Sequence, residues 1–121
     1  MSKIFKISKY NSNIDNFITP PLNKDFIYQS EGLSIHIEKR HHESVQYIEK
    51  IPEIINSPDY IGINPNEKGT SFELVKIFDD NIQIGIKLDT KNDYLYVATL
   101  HSITESKLKL RIKNGRLKPF T

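Results

Sequence analysis

Apolar positions along the chain change period near Asp59. From Ser30 onward, Leu33, Ile37, Val45, Ile48, Ile51 and Ile55 recur at helical spacing and build one apolar face. Pro52 lacks a backbone N–H and kinks or restarts such a helix, and Ser57-Pro58-Asp59 ends it. The pattern predicts two helical pieces, over 31–42 and 43–56. Beyond it, Asp59 to Asn64, Ser71 to Asp79, Ile82 to Asp89 and Tyr94 to His101 are strand-length runs. Turn-rich spacers separate them: Asn64 to Gly69, Asp79 to Asn81 and Thr90 to Asp93. This predicts an antiparallel meander.

Register follows from the first tight turn. With Phe78 opposite Ile82, one face gathers Phe72, Leu74, Phe78, Ile82, Ile84, Ile86 and Leu88, with Lys76 near its edge, and the helices cover it. The other face holds Glu73, Gln83, Gly85 and Lys87, and Glu73 lies across from Lys87 as a cross-strand ion pair. The loop before the last strand closes in more than one way, so either Tyr94 and Tyr96 or Leu95, Val97 and Thr99 join the polar face. The tyrosine alternative is adopted.

Ser102-Ile103-Thr104-Glu105 is a capping-box pattern that opens a helix ending near Asn114-Gly115. The strict alternation of Lys107 to Lys113 is instead strand language; the helix is preferred. At the other end, Lys3 to Ile7 reads as a short strand before an Asn- and Ser-rich stretch and Pro20-Pro21. Residues 1–24 are thus an N-terminal arm or edge strand, and 25–121 the domain proper. The predicted fold class is α+β: N-terminal helices packed on a four-stranded antiparallel sheet, with a short C-terminal helix.

A chain of 121 residues, 37% hydrophobic and 26% charged, suits one core and an ordered domain. Cysteine is absent, which excludes disulfides, thiolate zinc sites and cysteine nucleophiles and fits a reducing compartment. Met1 to Tyr10 alternates lysine with apolar residues and does not read as a signal peptide, and no apolar run is long enough to span a bilayer. The expectation is a cytoplasmic protein without membrane contact. Net charge is only +2, yet Ser102 to Thr121 holds Lys107, Lys109, Arg111, Lys113, Arg116 and Lys118 against Glu105 alone, a local +5 that leaves −3 elsewhere. Positive charge clustered on an otherwise acidic chain points to a phosphate backbone or an acidic partner; a solvated charged face is the plainer reading. Lys107, Arg111 and Arg116 are the candidate phosphate contacts.

Three of four histidines fall in the run His36-Ile37-Glu38-Lys39-Arg40-His41-His42. On a helix His36 and Arg40 face the same way one turn apart, while His41 lies one turn beyond Ile37 at the rim of the apolar stripe. Cleaving RNA without a metal takes a base for the 2′-hydroxyl proton, an acid for the leaving oxygen and cations for the pentavalent phosphate; histidine with arginine or lysine supplies them. His41 is equally a core-edge histidine bonded to a backbone carbonyl. His36, His41, His42 and Glu43 lack the H-E-x-x-H or facial-triad spacing of metal sites, so neither metal nor cofactor is expected.

Phe26 to Leu33, His36-Ile37-Glu38-Lys39-Arg40-His41, Ser57 to Gly62, and the strand pair around Gly85 to Asp89 and Tyr94 to Thr99 together resemble the phage-associated nucleases of the barnase, EndoU, colicin and RelE superfamily. The resemblance spans about residues 26–118. It implies a barnase/RelE-like fold and metal-independent endoribonuclease activity, as a toxin or phage effector. It also implies that His36, Arg40 and His41 belong to the active site, with Lys87 and Thr99 from the sheet; Lys39 and Tyr96 are taken as substrate-binding. RNA is the expected partner, with an immunity protein, antitoxin or host protein as a second one. The alternative is a non-catalytic module of the same fold that grips RNA, DNA or a host protein.

Overall fold

In a computed structural model the described residues are 3–63 and 70–120. Seven strands form one mixed sheet: β1 (Ile4–Lys9), β2 (Phe26–Ser30), β3 (Tyr60–Ile63), β4 (Ser71–Ile77), β5 (Asn81–Asp89), β6 (Tyr94–Ile103) and β7 (Leu117–Pro119), in the order β1-β2-β6-β5-β4-β3-β7. Three α-helices, α1 (Glu31–Arg40), α2 (Ile51–Asn56) and α3 (Glu105–Lys113), join 3-10 segments at Ser12–Asn16 and His42–Lys50. This corrects the expected helices on a four-stranded antiparallel sheet. β1 and β2 extend the sheet beyond β6, with β2 parallel to β6, and β7 closes the far edge against β3. The added strands are short, three to six residues long; the first coincides with the expected N-terminal edge strand, and β2 lies between it and β6. The spacer Asn64 to Gly69 lies outside the described residues.

The helical stripe buries as its spacing requires. Leu33, Ile37, Ile51, Ile54 and Ile55 pack on Ile27, Phe72, Leu74, Ile82, Ile84, Ile86, Leu95, Val97 and Leu100. Their boundaries differ from the expected pieces. α1 stops at Arg40, and the second piece is a 3-10 run before Pro52 restarts an α-helix in its first turn. The β4–β5 register is also two residues from the expected one: Lys76, not Phe78, faces Ile82, and Glu73 faces Gly85 while Ser71 faces Lys87. An even shift preserves both faces. Phe78 lies past the end of β4, its ring 5.3 Å from that of Tyr47.

α3 lies on the second face. Leu108, with Ile112 beside it, covers Val75, Ile103 and Leu117. Its cap is Thr104, whose hydroxyl accepts from Lys107 N at 3.1 Å, two residues past the Ser102 of the capping-box pattern. Gly115 ends the helix with φ +83°. β7 then returns so close to β3 that a Cβ on Gly62 would meet the Arg116 carbonyl oxygen at 2.6 Å. α3 roofs the part of this face formed by β4, β3 and β7. The roof reaches Gln83 on β5 and Ile103 at the end of β6; among the described residues the rest of the face, on β1, β2 and the Lys87 and Tyr94–Tyr96 ends of β5 and β6, is open.

Candidate active site

Because β2 ends at Ser30, β6 loses its β2 neighbour after Tyr96, and α1 runs along the vacated side. Leu33 and Ile37 anchor the helix in the core, which leaves His36, Lys39 and Arg40 exposed. A depression of about 230 Å³ separates helix from strand, lined by Ser30, Gly32, Leu33, His36, Tyr96, Val97 and Ala98. His41 caps the helix: its N–H donates to the Ile37 carbonyl at 2.8 Å, and its backbone leaves the helical region at φ −137°, ψ 51°. There its half-buried ring lies 6.0 Å from that of His36 and 5.7 Å from that of His101, centroid to centroid.

His101 reaches this corner through an irregularity in β6. Lys87 pairs with Tyr96 and Ile86 with Val97, but Gly85 pairs with Thr99, so Ala98 is an extra residue. The bulge reverses the parity of the strand. Tyr94 and Tyr96 before it and Thr99 and His101 after it therefore stand on one face, where a regular strand would have presented one set or the other. Leu95, Val97 and Leu100 remain in the core. Thr99 lies against Gly85, where a Cβ would come within 2.6 Å of its Oγ1. His101 Nδ1 is 3.2 Å from the Ser102 carbonyl oxygen. A carbonyl only accepts, so Nδ1 is the donor in this contact, and in the neutral ring the lone pair lies on Nε2.

The remaining candidates divide by surroundings. Lys87 is half-buried on the open face opposite Tyr96. Lys107 is exposed on α3, but Arg111 and Arg116 turn inward. Arg111 Nη1 donates to Gln83 Oε1 at 2.7 Å, Gln83 Nε2 donates to Glu73 Oε2 at 2.6 Å, and Arg116 donates to both Glu73 oxygens, at 2.9 and 3.1 Å from Nη2. This chain satisfies the polar strand residues that α3 buries. At the far end of the face, Asn92 N–H donates to the Asp89 carboxylate and holds its pKa below the ordinary value. Burial, then the nearby Asp89 charge, pushes the Tyr94 hydroxyl up.

Of the sequence-derived set, His36 and His41 come into ring contact, Arg40 lies one turn of α1 from His36, and Thr99 and Lys87 stand on the second sheet face. His101 was missing from that set. Its only sequence signal is a histidine two residues after Thr99 at a strand end, and the bulge that gives it meaning leaves no composition mark. Among the described residues no group of three or more His, Asp and Glu is arranged to hold a metal ion, and no helix is long and apolar enough to cross a membrane. A larger cavity, about 640 Å³ between Phe17, Gly62 and Lys118, is lined by no histidine.

A family model described as phage-Barnase-EndoU-ColicinE5/D-RelE like nuclease 3 matches residues 5–109. No curated protein and no solved structure matches the chain significantly.

Proposed function

The chain belongs to the family of phage-Barnase-EndoU-ColicinE5/D-RelE like nucleases, and from that membership we propose a metal-independent endoribonuclease, the toxin or effector of a phage or mobile element acting in the cytoplasm. The observation that carries the reading is His41 in ring contact with both His36 and His101, next to Arg40. Attack of the RNA 2′-oxygen on phosphorus forms one P–O bond as the bond to the 5′-oxygen breaks. The 2′-hydroxyl proton goes to a base, and the leaving 5′-oxygen takes one from an acid. His101, whose Nδ1 is held by the Ser102 carbonyl, takes the first role through Nε2; His41, one ring away, takes the second. Arg40 and His36, exposed beside them, supply positive charge to the pentavalent phosphate, and Lys39, Thr99 and Lys87 extend the contact along the backbone.

The test is incubation of purified protein with unstructured RNA in EDTA, with analysis of the ends. The reading expects 2′,3′-cyclic phosphate or 3′-phosphate ends and 5′-hydroxyls. His41→Ala and His101→Ala should each lower the rate by about 10² to 10⁴ while RNA affinity stays within a few fold. Protein that binds RNA but makes no new ends in EDTA or magnesium from pH 5 to 8 is a binding module instead.

A further inference from the structure

The open half of the second sheet face carries more aromatic surface than a solvated sheet needs. Cross-strand partners share a face, so Tyr28 (β2), Tyr96 (β6) and Lys6 (β1) stand in one row, and Phe26 stands beside Lys9 in the next. The Tyr28 and Tyr94 rings are 5.5 Å apart and nearly perpendicular, at 77°, and Tyr94 and Tyr96 are 5.9 Å apart at 50°. All three are half-buried, and none lies flat on another. A cleft of about 490 Å³ runs past Phe26, Tyr28 and Tyr94, and Tyr96 lines the separate depression that ends at His36. The aromatic row therefore leads to the histidine corner.

Cations border it. Lys9 is exposed, Lys6 lies 4.0 Å from the Phe26 ring centroid, and Lys39 and Arg40 are exposed at the histidine end. Among the nearby acids, Asp89 holds Asn92 and the Tyr94 hydroxyl and Asp93 pairs with Lys24, while Asp25 is exposed at the cleft beside Phe26. Tyrosines two apart on one strand recur every ~6.8 Å, a spacing an extended strand of nucleotides can follow, and aromatic rings with flanking lysines hold unpaired bases and their phosphates. Bases of an A-form duplex are closed inside their own stack and offer no face to such a surface.

We propose that Tyr28, Tyr94 and Tyr96 form a stacking subsite for unpaired nucleobases, which makes single-stranded RNA the substrate class of the adjoining histidine site. The RNA assignment rests on the endoribonuclease reading; the stacking chemistry does not. The test is binding of a short unstructured RNA containing 2-aminopurine, with the His41→Ala protein as the non-cutting background. Tyr28→Ala and Tyr96→Ala should each weaken binding roughly 5- to 150-fold and reduce 2-aminopurine quenching, while Tyr28→Phe and Tyr96→Phe keep both. A duplex of the same sequence should bind more weakly and be indifferent to these substitutions. The matching DNA strand should bind similarly and stay uncut by the wild-type protein.

Folded alanine variants that bind the single strand as well as their parent overturn the subsite, and so does equal binding of duplex. If the wild-type protein still cuts RNA, the nuclease reading survives that failure. Tyrosine-dependent binding by a wild-type protein that makes no new ends keeps the subsite and removes the nuclease reading.

Discussion

Replacing Arg116 with alanine should cost stability before it costs RNA affinity. Glu73 is 7% exposed, and its carboxylate receives Arg116 Nη2 on both oxygens, Arg116 Nε at 3.2 Å and Gln83 Nε2 at 2.6 Å. Arg116→Ala leaves Gln83 as the remaining described donor to that buried charge. Removing one partner of a fully buried pair costs about 3 to 5 kcal/mol. The Arg116 side chain is 27% exposed, so water enters the vacated space and about 2 to 3 kcal/mol is the better expectation. For a chain of this size that lowers Tm by about 6 to 15 °C. Glu73→Gln keeps the shape and removes the charge, and adding it to Arg116→Ala should recover at least about 1 kcal/mol, a coupling readable from a double-mutant cycle in urea. RNA affinity measured at a temperature where every variant is folded should move less than twofold. Additive effects, or an unchanged Tm with a large loss of affinity, would refute the structural role and return Arg116 to the phosphate-binding set.

Two further outcomes follow from local geometry. Gly62→Ala drives a methyl into the Arg116 carbonyl oxygen at 2.6 Å and Leu117 Cδ2 at 2.8 Å, so β7 must shift; a loss of about 3 kcal/mol, measured by urea unfolding, is expected, and no loss would place β7 elsewhere. Asp89, whose pKa is depressed in the folded chain, contributes stability that is present above its ordinary 3.8 and lost as pH falls through the lower folded value. Thermal melts should therefore show Asp89→Ala less stable than wild type at pH 6, with the difference narrowing below pH 4; a constant difference would show that the carboxylate charge plays no part.

Much of the central sheet could be read from residue order because its two faces differ in chemistry. Ile82, Ile84 and Ile86 alternate with Gln83, Gly85 and Lys87, and a two-residue error in register left that division intact. What could not be read was anything decided by a neighbour distant in sequence. Val75 and Ile103 break the polar face because α3 covers them, and Leu117 forms a strand because β3 has a free edge there. Arg111 and Arg116 look like the rest of the basic tail; their engagement with Gln83 and Glu73 appears only once α3 lies over β4 and β5. The placing of His36 and Arg40 one turn apart was legible from helical spacing, whereas His41 leaves the expected helix at its cap and His101 was hidden by a bulge at Ala98, next to a threonine that packs on Gly85.

That bulge ties the two halves of the proposed substrate path together. In a regular β6 the tyrosines and the Thr99–His101 pair would face opposite ways, and any strand of RNA stacked on Tyr94 and Tyr96 would find His101 in the helical core. One additional residue, accommodated by the missing side chain of Gly85, puts both sets on the open face without moving Leu95, Val97 or Leu100 out of the core. α1 completes the arrangement because β2 stops at Ser30, opening room for His36 and His41 beside the strand where the bulge delivers His101. The divided roof has the complementary effect. α3 covers the half of the face where Glu73 and Gln83 need partners and leaves bare the half that carries the tyrosine row and its flanking lysines.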